Sequence, residues 1–135
     1  MRLPVLSVLA ILSAGTPLQA GEGEYLSDTL KKPAYRRAMA AMLRGERGLP
    51  AWVAWMTRDG SHVDTPATMR EVNGTTYQLN HACKPHDCGD NQMEVMFAPG
   101  GRQAWAVLVV AGKPARFFGA PDQAQGKALS QEVEN

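Results

Sequence analysis

The sequence predicts an α+β fold: a five-stranded antiparallel sheet with flanking helices on one face, in a single domain. Three observations carry that prediction. Asn73-Gly74 separates two strand-like runs, short Gly- and Pro-containing turns divide the apolar segments after it, and amphipathic helical patterns stand towards both ends of the chain. The chain has 135 residues, 44% of them hydrophobic, which admits one ordinary domain and excludes a disordered one. No internal repeat, low-complexity tract or linker divides it.

At the N-terminus Arg2 precedes an apolar run over residues 3–14, and Leu18-Gln19-Ala20 offers a cleavage site before Gly21. This pattern reads as a secretory signal peptide over residues 1–20, leaving 21–135 as the domain. The run falls short of the roughly 18 apolar residues a bilayer-spanning helix needs, so no membrane association is expected after cleavage. Export implies an oxidising compartment, where thiols pair.

Ser27 is expected to cap a short helix, and Pro33 suits the first position of a longer one. In that second helix Tyr35, Met39, Met42 and Leu43 share a face, Arg36, Arg37 and Arg44 take the other, and Gly45 and Gly48 end it. A third helical piece over 51–56 places Trp52, Val53 and Met56 together, before a turn at Asp59-Gly60 and a break at Pro66. The Asn73-Gly74 hairpin joins strands over 68–72 and 75–79. Residues 80–91 read as irregular, and 92–97 alternate as a strand with Met93, Val95 and Phe97 on one face. Pro99-Gly100-Gly101 turns the chain into 103–111, a nearly continuous apolar run expected of a central strand covered on both faces. That run suits a homodimer interface as readily as a core. A last strand over 115–118 and a C-terminal helix opened by Pro121-Asp122, running through Leu129 and Val133, complete the pattern. The methionines at 39, 42, 56, 69, 93 and 96 read as core filler.

Lys and Arg number 14 against 13 Asp and Glu, a net charge of +1 that gives no electrostatic case for a nucleic-acid partner. Loss of residues 1–20 removes Arg2 and balances the charges. Special chemistry is confined to one stretch, Asn80 to Asp90, which holds both cysteines and two of the three histidines. Three readings compete there. Cys83 and Cys88 can close a ring around Lys84-Pro85-His86-Asp87, a link worth about 2 kcal/mol whose larger effect is local rigidity. Alternatively His81, Cys83, His86 and Cys88 ligate zinc, although the H-x-C-x-x-H-x-C spacing is not that of a familiar finger. A redox pair is the third, and its spacing departs from C-x-x-C.

Catalysis finds little support. Ser61-His62 with Asp59 or Asp64 is a run of sequence neighbours, which rarely assemble a triad, and His62 reads as an exposed turn residue. No nucleophile elbow, phosphate-binding glycine loop or H-E-x-x-H helix occurs. The chain reads as a non-catalytic protein with no cofactor.

The block Cys83-Lys84-Pro85-His86-Asp87-Cys88 resembles the signature loop of the inhibitor of vertebrate lysozyme (Ivy) family. The resemblance extends through Leu49-Pro50-Ala51-Trp52-Val53, the Thr65-Pro66 step, the strand with Tyr77 and the strand with Trp105. It implies a small periplasmic protein of Gram-negative bacteria, with a central antiparallel sheet and flanking helices. It further implies a loop, held by Pro85 and a Cys83–Cys88 bridge, that enters the active-site cleft of c-type lysozyme. By position His86 would be the inhibitory residue, with Lys84 and Asp87 bonding the cleft walls. Asp87, Asp90 and Glu94 together would suit a basic partner at the rim. The alternative is a periplasmic binding module for the cell's own lytic transglycosylases or for peptidoglycan fragments.

Overall fold

The structure, a computed structural model, describes residues 22–58 and 61–133, so the expected signal peptide and the Asp59-Gly60 turn lie outside the described residues. Three helices come first: α1 (Leu26–Thr29), α2 (Pro33–Leu43) and α3 (Ala51–Ala54). Six strands follow: β1 (Val63–Asp64), β2 (Thr68–Val72), β3 (Thr75–Cys83), β4 (Asn91–Phe97), β5 (Ala104–Val110) and β6 (Arg116–Phe118). Helix α4 (Gln123–Val133) closes the chain.

All pairings are antiparallel, in the order β3-β4-β5-β6, with β1 and β2 both on the outer edge of β3. β1 is the strand beyond the five expected. It escapes a pattern reading because it is two residues long, and because Pro66, which has no N–H to give a ladder, separates it from β2. Across that break the register slips by one residue, from Asp64 opposite Ala82 to Thr68 opposite Leu79, as in a bulged edge strand. The hairpin between β2 and β3 turns at Asn73 (φ 49°) and Gly74 (φ 80°), the two positive φ values of a type I′ turn.

The helices cover both faces of the sheet, where the sequence reading put them on one. Side chains alternate across a strand, and on β5 both alternating sets are apolar. Met93, Val95 and Phe97 of β4, with Ala104, Ala106 and Leu108 of β5, pack under Leu26, Met39, Met42, Trp52 and Val53 of α1 to α3. Met96, Trp105 and Val107 point the other way, with Leu79, against Ala128 and Leu129 of α4. The continuous apolar run of β5 is therefore that of an interior strand, hydrogen-bonded on both edges and covered on both faces. Met39, Met42, Met56, Met93 and Met96 are buried, while Arg36, Arg37 and Arg44 are solvated.

The helix ends follow local chemistry. Pro33 stands at the start of α2, and Gly45 (φ 75°) follows its last turn. At α4 the Asp122 Oδ1 accepts from the Gln125 N–H (2.8 Å), while the Asp122 N–H donates to Gln125 Oε1 (2.9 Å), a reciprocal capping box. Arg70 of β2 pairs with Glu132 and donates to Gln131 Oε1 (3.1 Å), which sets a cation against the C-terminal end of α4. Ser27 does not cap α1 but lies inside it. Its N–H donates instead to Asp64 Oδ2 (2.7 Å), so a β1 side chain supplies the cap from far along the chain.

Candidate functional site

The connection between β3 and β4 is shorter than the sequence suggests, because β3 continues through Asn80, His81 and Ala82 to Cys83. Polar residues there mark a loop in a local reading. In the fold Asn80 is buried, its amide donating to the Glu24 carbonyl (3.1 Å) and its Oδ1 accepting from Gln78 (2.9 Å). Only residues 84–90 leave the sheet.

Cys83 ends β3 opposite Gln92 and is bonded to Cys88, with the Cα atoms 4.9 Å apart. Within the ring the Asp87 N–H donates to the Lys84 carbonyl (3.0 Å), which closes a four-residue turn with Pro85 and His86 at its centre. Proline confines φ to negative values, and His86 has φ 64°, a combination that defines a type II turn. Glycine or Asn usually takes that second central position, since a left-handed backbone brings a Cβ against the following carbonyl. His86 is thus held in an unfavourable conformation by its surroundings, a mark found at functional sites.

Asp87 does most of the holding. Its carbonyl accepts from the N–H groups of Asp90 (3.3 Å) and Asn91 (3.1 Å), and its Oδ2 accepts from the Asn91 amide (2.8 Å). Lys84 Nζ lies 3.6 Å from the same oxygen. The Lys84 N–H donates to the Asn91 carbonyl (3.1 Å), and the Ala111 N–H to that of Asp90 (2.8 Å), fastening the loop to β4 and to the end of β5. Lys84 and Asp87, which the resemblance would aim at cleft walls, are turned towards each other. His86 is exposed and has no hydrogen-bond or ion-pair partner among the described residues.

The four residues of the zinc reading do not converge. Both sulfurs are spent on each other, and His81 Nδ1 lies 3.2 Å from Glu94 Oε2 across the β3–β4 pair. Glu94 is only 2% exposed, so it contributes little to the charge at the rim, contrary to the sequence reading. Burial pushes its carboxyl above the usual range, opposed by His81 and Arg70 and reinforced by Glu132. A carboxyl raised in the folded state adds stability below its unfolded value of 4.5, and that contribution is lost as pH rises through the folded value. Glu94→Gln cannot ionise. It should therefore melt higher than the wild type at pH 7, by about 4 °C for each kcal/mol relieved, and lose that advantage by pH 4. Circular-dichroism melts at the two pH values check this.

His62 is a second correction. Its side chain is fully buried with Nε2 3.5 Å from Asp64 Oδ2, whereas a histidine beside turn residues reads as exposed. Asp64 is itself engaged at α1, so the cluster anchors the edge strand to a helix.

Sequence reasoning missed what stands beside the loop. Trp55, just past α3, is 47% exposed although Trp52 and Val53 of the same helix are buried. It borders a groove of about 420 Å³ lined by Pro50, Ala51 and Trp52 on one side and by Lys84, Pro85 and Asn91 on the other. Helical spacing gives a partial signal, since Trp55 stands two residues after Val53 and one before Met56, turned away from both.

Comparison with known proteins identifies a family. The family model described as inhibitor of vertebrate lysozyme (Ivy) matches residues 34–135. A Pseudomonas aeruginosa protein named inhibitor of vertebrate lysozyme is 31% identical over 147 aligned positions, covering 99% of this chain and 94% of its own length. The Escherichia coli K12 protein of the same name is 32% identical over 76% of this chain and 62% of its own. An uncharacterized Yersinia pestis protein is 32% identical over 66% of this chain and 56% of its own.

Proposed function

The chain belongs to the inhibitor of vertebrate lysozyme family, and on that premise we propose that it is a non-catalytic, periplasmic inhibitor of c-type lysozyme. Its ring from Cys83 to Cys88 enters the active-site cleft and sets His86 against the catalytic carboxyls. The observation that carries this reading is the state of His86: exposed, unpartnered, and presented by a turn whose every other polar side chain is engaged within the loop.

The chemistry of the target explains why one imidazole suffices. A retaining glycosidase holds two carboxyl groups about 5 Å apart across the scissile bond, one with a raised pKa and one ionised. Imidazole carries nitrogens on opposite sides of its ring, and in its cationic form both donate. A single ring can therefore occupy both carboxyls. The ordering cost of the probe is met in advance by the disulfide, Pro85 and the Asp87 hydrogen bonds, so little binding energy is lost in fixing it. The signal-peptide pattern of residues 1–20 supports a periplasmic location, where such a bridge persists.

The test is lysis of bacterial cell walls by a c-type lysozyme, titrated with the oxidised protein. Lysis should fall in proportion to added protein and stop near equimolar addition. The same protein treated with reductant should inhibit less, because the opened ring no longer fixes the turn. Full lysis at a large excess of oxidised protein would refute the proposal.

A further inference from the structure

We infer that the groove between Trp55 and Pro85 is a second contact with the same lysozyme, receiving an apolar side chain from the rim of the enzyme's cleft. The inference rests on the inhibitor reading and extends it from a single probe to a two-part grip.

Area is the first argument. A stable complex of ordinary size buries about 800 Å² and some 20 residues or more on each partner. A ring of six residues, from Cys83 to Cys88, falls well short of that. The surface beside the ring must therefore enter the interface as well, and what lies beside it is not arbitrary. Lys84 and Pro85 belong to both the ring and the groove wall, so an enzyme cleft that closes around His86 is brought over Trp55.

Composition is the second. Trp55 is 47% exposed and Val63, whose β1 position is directly opposite Cys83, is 44% exposed, so large apolar side chains flank the ring. The other exposed large apolar side chains among the described residues, Tyr25 and Phe117, belong to other parts of the fold, before α1 and on the far edge strand β6. Tryptophan dominates hot spots because it buries much area with few rotamers to fix, and proline adds a rigid wall. Beside Trp55 the groove is lined by Pro50, Ala51, Trp52 and Pro85, with Ser61, Lys84 and Asn91 as polar borders, the make-up of an apolar socket with a polar rim. The Lys84 ammonium, at the border of the groove, lies 3.6 Å from Asp87 Oδ2.

The experiment measures the dissociation constant of the complex with a c-type lysozyme by titration calorimetry, for wild type, Trp55→Ala and Trp55→Phe. Because Trp55 is exposed, thermal melts of the free variants should match the wild type. Trp55→Ala should weaken binding about tenfold or more, and Trp55→Phe should recover a large part of that loss. Tight wild-type binding together with a Trp55→Ala change within about twofold would overturn the groove contact and leave the inhibitor reading standing. Failure of the wild type to bind would overturn both. A third arm adds the N-acetylglucosamine trimer to the free protein: a shift in tryptophan fluorescence absent from Trp55→Ala would make the groove a saccharide site and overturn the inference.

Discussion

His86→Ala should weaken inhibition of c-type lysozyme about 30-fold or more, equivalent to about 2 kcal/mol, the range of a binding hot spot. The side chain removed is the one exposed polar group at the centre of the turn and has no partner among the described residues, and no neighbour is placed to replace it, since Lys84 and Asp87 face each other. Alanine carries a second effect. At φ 64° any Cβ is disfavoured, so the alanine variant keeps the backbone strain while losing the imidazole. His86→Gly separates the two. Glycine is at ease at that position, so the loop should keep its turn and the protein should melt slightly higher, yet inhibition should fall as far as in the alanine variant. Equal inhibition by His86→Gly and wild type would assign the effect to loop shape and remove the imidazole from the mechanism.

Gly119→Ala should be the most destabilising of the substitutions considered, costing about 3 kcal/mol or more and lowering the melting temperature by about 10 °C. Gly119 (φ 80°) follows β6, where the chain passes the start of β5. A Cβ there would lie 2.5 Å from the Ala104 carbonyl oxygen and 3.2 Å from the Trp105 Cα. Backbone atoms of a central strand cannot move aside as a flexible side chain can, and Ala104 and Trp105 face the two separate cores. Gly112 is the control. Its φ is 75°, but a Cβ there would meet nothing within 4 Å, so Gly112→Ala should cost only the left-handed conformation, about 1–2 kcal/mol. Similar losses for the two variants, read from denaturant unfolding, would show that the close approach is relieved cheaply.

How much of the fold a sequence discloses depends on whether the determining contacts are local. The Asn73-Gly74 turn, the Pro33 start of α2 and the Asp122 cap of α4 depend on neighbours within a few residues, and each is legible. β3 beyond Leu79 is not. Gln78 and Asn80 are buried because Thr29 and Glu24, far back along the chain, answer their hydrogen bonds, and nothing near them announces it. His62 misleads in the same way, buried beside Asp64 through tertiary packing. The choice of face for each helix is also non-local, although the unbroken apolar run of β5 already required a cover on both sides. At the site, the six-residue block and its bridge are legible because the whole ring is contiguous. The positive φ of His86, the inward turn of Lys84 and Asp87, and the exposed Trp55 become apparent only in three dimensions.

Placing α4 alone over the second core has a consequence for how the chain comes to be made. A polypeptide emerges N-terminus first, and its domains fold as units. The helices α1 to α3 are available to cover the first core before the sheet is complete, but Leu79, Met96, Trp105 and Val107 wait for Ala128 and Leu129, among the last described residues of the chain. Until those arrive, a half-built sheet presents a bare apolar face, and loss of the final turns would leave it so. The ring that carries His86 has its cysteines five positions apart, so its closure needs only near neighbours in the chain. The strands that hold it, β3 and β4, contribute Leu79 and Met96 to the core that α4 covers, so docking of that helix also steadies the base of the ring.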